Sequence, residues 1–132
     1  MTTKMDKNNW AIKIWNDGEY FDLWHVNHFL AGILLALAGI LIGMDYWVNF
    51  SIALFLMLGW EIFEIIKKIE ETRFNMTFDV ILGLVGYFLI YYANLQMSEM
   101  NIMFFVVLII WLIMEFWGYY AFKIRGGNQH WN

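Results

Sequence analysis

Four stretches of the chain, each about 20 residues long and dominated by apolar residues, constrain its fold more than any other feature. A helix rises about 1.5 Å per residue, so each stretch is long enough to cross a hydrocarbon core roughly 30 Å thick. The predicted spans are about 22–43, 47–69, 78–97 and 102–122. The polar breaks between them are short: Met44-Asp45-Tyr46, Glu70 to Thr77, and Ser98 to Asn101. Successive helices are therefore expected to be antiparallel neighbours in an all-α, four-helix up-down bundle within a membrane. This divides the chain into a juxtamembrane segment (1–21), a transmembrane domain (22–122) and a tail (123–132). Composition agrees, because 61% of the 132 residues are hydrophobic and only 15% are charged, against about 25% charged in soluble domains. The formal net charge of -4 is not gathered into a tail, so it points to no nucleic-acid partner. The absence of cysteine excludes disulfides, thiolate metal sites and a Cys nucleophile, and the absence of proline removes proline kinks. Acids as well as lysines flank the long first span and no small-residue cleavage site follows it, so a cleaved signal peptide is not expected.

The 8 basic residues set the orientation. Lys4, Lys7 and Lys13 precede the first span, Lys67, Lys68 and Arg73 lie at the second connection, and Lys123 and Arg125 follow the last span. The other two connections carry only Asp45 and Glu99. Cationic segments stay on the inner side, so both termini and the middle loop are expected in the cytoplasm, in the plasma membrane of a prokaryote. Trp24, Tyr46, Trp47, Tyr91, Tyr92, Trp117 and Tyr119, at the span ends, suit interfacial belts. Trp10, Ile12, Ile14 and Trp15 sit among charges before an Asp17-Gly18 turn signal, which fits either an interfacial segment or an ordinary juxtamembrane arm. The tail, with Gly126-Gly127 and His130, reads as flexible in isolation.

In lipid, helices associate through small and polar residues, and these mark the buried faces. On the first span His25, His28, Gly32, Ala36, Gly39 and Gly43 form one stripe at helical spacing. On the third, Asp79, Gly83, Gly86, Ile90 and Ala93 do the same. The second span carries Glu61 and Glu64 one turn apart, followed by Lys68, and the fourth carries Glu115 above Gly118. At about 1.5 Å per residue, His25, His28, Glu61, Glu64, Asp79 and Glu115 all fall in roughly the cytoplasmic third. An ionisable group within the bilayer costs at least about 2.5–3.5 kcal/mol, so several at one level are expected to pair, take up protons or line water. His28, Glu61, Glu64 and Asp79 are thus the candidate polar site.

Simpler roles stand beside this one. Glu64 and Lys68 have the spacing of a helix-surface ion pair. Asp79 follows Thr77, a possible N-cap, and suits the first turn of a helix. His25 can sit at the headgroup level beside Trp24, and Arg73 with Glu70 and Glu71 can be solvated loop charges. His28 and Glu61 lie deeper. A His-x-x-His pair facing a Glu-x-x-Glu pair also supplies imidazole and carboxylate ligands, so His25, His28, Glu61 and Glu64 form a candidate site for Zn, Fe or Mn. Neither the Glu-x-x-His of di-iron bundles nor the His-Glu-x-x-His of zincins is present. Nucleophilic triads, phosphate loops and dinucleotide fingerprints are absent too.

Phe21-Asp22-Leu23-Trp24-His25, continuing through His28-Phe29-Leu30-Ala31-Gly32, then Gly59-Trp60-Glu61-Ile62-Phe63-Glu64, then Phe78-Asp79-Val80 with Gly83 and Gly86, resembles the YjdF-like small integral membrane proteins. More loosely it is similar to VanZ-like proteins, which have an intramembrane His, a Glu on the next helix and an Asp with glycines after it. The resemblance covers about residues 21–92. The YjdF-like likeness implies a polytopic membrane fold of undefined activity, and the VanZ-like one an effect on glycopeptide antibiotic susceptibility. Two functions follow as expectations. One is an embedded His/Glu/Asp site for a proton, a metal or a lipid headgroup; the other is an accessory subunit that packs against other membrane subunits, or against itself, and does no chemistry. A channel or transporter would require oligomerisation.

Overall fold

A computed structural model describes residues 14–15, 22–67 and 72–124. They form four helices, α1 (Leu23–Leu41), α2 (Tyr46–Lys67), α3 (Arg73–Tyr92) and α4 (Met97–Ile124). All four are long and apolar enough to cross a membrane. Trp10, Ile12, Asp17-Gly18, Lys68 and the tail beyond Ile124 lie outside the described residues.

Local chemistry sets the ends. Asp22 caps α1, its side chain accepting from the backbone N–H groups of Trp24 (2.9 Å) and His25 (3.3 Å). The His25 ring in return takes the Asp22 N–H on Nδ1 (3.2 Å), which closes a capping box with histidine in the position usual for Glu. Gly43, at φ 72°, ends α1, with the Met44 N–H bonded to the Gly39 carbonyl and the Gly43 N–H to that of Ile40. That is a Schellman motif, and its left-handed residue is the one place here where glycine is needed for its backbone freedom. Asp45 accepts from the N–H of Trp47 at the start of α2.

Three boundaries correct the sequence reading: α3 ends at Tyr92 rather than 97, and two helices start earlier than expected. Helix α3 starts at Arg73 rather than 78, capped by the Thr72 hydroxyl on the Asn75 N–H (3.2 Å), so Asp79 lies well inside the helix and Thr77 is not its cap. Helix α4 starts at Met97 rather than 102: the polar run Ser98 to Asn101 is its first turn, with Glu99 accepting the Gln96 N–H (2.8 Å). Polar residues in a first turn satisfy orphan amides and so resemble a loop in a hydropathy profile.

The arrangement centres on α1. It packs most extensively on α3, then on α4 and on α2, while α2 also touches α3. Successive helices α3 and α4 do not approach each other among the described residues, nor do α2 and α4, contrary to the expectation that chain neighbours pack together. The reason is the glycines on the α1–α3 seam. A Cβ on Gly32 would stand 1.9 Å from the Gly83 carbonyl oxygen, and one on Gly86 would stand 2.2 Å from that of Phe29. Only hydrogen fits, and the close approach maximises contact between the two helices.

At the end holding the close of α1, buried Asn49 of α2 donates to the Ala36 carbonyl (3.3 Å) and the Tyr91 hydroxyl (2.8 Å), tying three helices. Its side chain occupies the space that a Cβ on Gly39 would take. Ile33, Leu34, Leu37, Tyr87 and Ile90 fill the core between. At the opposite end Trp15 is fully buried against Trp24, Trp117 and Ala121, and its carbonyl accepts from the Trp24 indole (3.3 Å). Of the span-end aromatics, Trp47, Tyr92 and Tyr119 are exposed, whereas Trp24 and Trp117 face this cluster.

Candidate functional site

The start of α1, the end of α2, the start of α3 and the end of α4 share one end of the bundle, here called the proximal end. Close packing of α1 on α3 places the proximal residues of both at one level. His28 stands one turn before Gly32, and Asp79 one turn before Gly83, so the glycine contact sets the spacing of these two side chains. His28 Nε2 is 3.9 Å from Asp79 Oδ2. Glu61, 5% exposed, reaches the same place from α2. One ligand atom from each of His28, Glu61 and Asp79 lies within 4.8 Å of the others. The site is largely buried: Asp79 is 1% exposed and the His28 side chain 14%.

The other expected members divide. His25 is fully buried, with Nδ1 2.9 Å from Asp22 Oδ1 and 3.9 Å from Asp79 Oδ1. Its Nδ1 serves the α1 cap, and the ring stands beside the group. Glu64 accepts from the Trp60 indole N–H at 2.8 Å on a more exposed face, and it does not join the group. Of the expected ligands His25, His28, Glu61 and Glu64, the group that converges contains His28 and Glu61, with Asp79 as its third member. The i,i+3 spacing places Glu64 one turn beyond Glu61 but does not say which of the two faces α1.

Glu115 faces away from this group, toward Asn27, whose Nδ2 donates to Glu115 Oε1 at 2.5 Å. Asn27, 4% exposed, lies one residue off the small-residue stripe, so helical spacing alone does not mark it. The Asp22 cap was also missed, although its three-residue spacing to His25 is a capping-box signature.

Two carboxyls and an imidazole within this radius can share protons or hold a cation. Ligands at about 2.1 Å from one ion are at most about 4.2 Å apart, so small side-chain rotations would close the group on a metal. No family model, curated protein or solved structure matches the chain.

Proposed function

We propose that the chain is a multi-pass protein of a prokaryotic cytoplasmic membrane, with both termini inside, that holds a divalent metal on His28, Glu61 and Asp79 near the cytoplasmic face. The convergence of these three side chains from three helices carries the reading. A divalent cation, two carboxylates and a neutral imidazole sum to zero charge, and a neutral unit is far cheaper to bury than its separate ions. One nitrogen and two oxygen donors suit Zn, Fe or Mn and leave coordination positions open, so a bound ion could act as a Lewis acid toward a ligand. The orientation rests on the one-sided distribution of all 8 basic residues.

The test is metal analysis of the full chain purified in mild detergent, followed by titration with Zn, Mn and Fe(II) after chelation. Uptake of one ion per chain is expected. His28→Ala, Glu61→Gln and Asp79→Asn should each weaken it by more than about 100-fold, beyond the effect usual for supporting residues, whereas Glu64→Gln should not. No uptake at micromolar metal, or triad variants that bind as well as the parent, would defeat the proposal. A metal-free chain copurifying with another membrane subunit would favour the accessory role instead.

A further inference from the structure

Because α2 and α4 do not touch, a cleft of about 660 Å³ remains between them, with α1 as its floor. Its size lies within the range of small-molecule sites, about 300–1,000 Å³. The wall is polar at one end only. Leu34, Leu35, Ala38, Leu56, Phe104 and Leu108 line the distal part, and Asn27, His28 and Glu115 the proximal part, with Trp24, Trp60 and Trp111.

Three observations define what fits. First, Asn27 is nearly fully buried; its Nδ2 is spent on Glu115, and its Oδ1 has no hydrogen-bond partner. A buried amide oxygen left unpaired is costly, and a ligand donor at this point would remove the cost. Secondly, the Trp111 indole Nε1, one turn distal of Glu115, is also buried without a partner, a donor for an oxygen carried near the ligand's head. Thirdly, the lining contains a carboxyl group and three indoles but neither lysine nor arginine. Indole faces and a carboxylate together favour a cation, and nothing in the wall would neutralise a phosphate or carboxylate head.

We infer that this cleft binds a long-chain amphiphile with an ammonium head, the head at Asn27 and Glu115 and the chain along the distal leucines. The site is separate from the proposed metal group and shares only His28 with it.

The probe is a single-chain alkylammonium brominated at mid-chain, added to the full chain in detergent, with tryptophan quenching as readout. The carboxylate of the same brominated chain is the comparison. Saturable quenching by the ammonium is expected, and little by the carboxylate. Glu115→Gln and Asn27→Leu should each weaken it at least about tenfold. Leu108→Trp, which fills the apolar part, should abolish saturation while leaving helicity and metal uptake as in the parent. The inference is overturned by non-saturable quenching, by equal binding of the carboxylate, or by ammonium binding that persists in Leu108→Trp. If Glu115→Gln fails to fold, Asn27→Leu and Leu108→Trp decide the matter. Failure of metal uptake in all variants would count against the metal site alone.

Discussion

Gly32→Ala tests whether the α1–α3 seam holds the site together. The new methyl carbon would lie 1.9 Å from the Gly83 carbonyl oxygen and 2.7 Å from its carbon. That is roughly 1.5 Å short of an ordinary contact. Both obstacles are backbone atoms, so no side chain can rotate away and the helices must part. Overpacking of this kind costs about 1–3 kcal/mol, and rigid neighbours put it at the upper end, against about 1 kcal/mol gained from alanine's helix propensity. We expect a net loss of about 1–2 kcal/mol. The separation also acts one turn away: the 3.9 Å between His28 and Asp79 should grow, and metal affinity should fall at least about tenfold. Gly59 is the internal control, because a Cβ there meets nothing within 4 Å, so Gly59→Ala should match or exceed the parent. Thermal unfolding followed by helicity, with metal titration on the same samples, reads both effects. If Gly32→Ala unfolds with the parent and binds metal equally well, the seam does not set the geometry of the site.

Three further outcomes are expected. The chain has no cysteine, so single cysteines at Asn94 and at Thr72 can be labelled in intact cells with an impermeant maleimide; only Asn94 should react, and labelling confined to Thr72 would invert the proposed orientation. Asp22→Ala removes the acceptor for two amides at the start of α1 and should cost about 1 kcal/mol of stability in chemical unfolding, with Asp22→Asn retaining most of it; equal stability of all three would show that the cap does not matter. Trp15→Ala empties the contact between α1 and α4 and should cost about 3 kcal/mol, with faster proteolysis at the C-terminal end of α4; unchanged cleavage there would mean that Trp15 does not hold α4.

The helices were legible because hydropathy and length depend only on local composition. So was the inward face of α1: His25, Gly32, Ala36 and Gly39 are all buried. Gly43, on the same stripe, is exposed because the chain turns there. Helix starts were misplaced where polar residues such as Ser98 and Asn101 belonged to a first turn. Which helices touch was not legible, because short connections favour neighbours but do not compel them, and the glycine seam chose α3 over α2 as the main partner of α1. The site followed from that choice: Asp79 enters with α3, and Glu64 turns to Trp60. Asn27 and Glu115 lie 88 positions apart, and no local pattern links them.

The central position of α1 has a consequence for biosynthesis. In the proposed membrane topology α1 enters lipid first, carrying Asn27 and His28, and apart from Asp22, which meets His25 at the start of α1, the acids that meet this face are in α2, α3 and α4. Until Glu115 emerges, Asn27 lacks its native partner. The first helix therefore completes its native contacts last, and the interval before α4 arrives is when the nascent protein is most open to capture by an insertase or to loss by quality control.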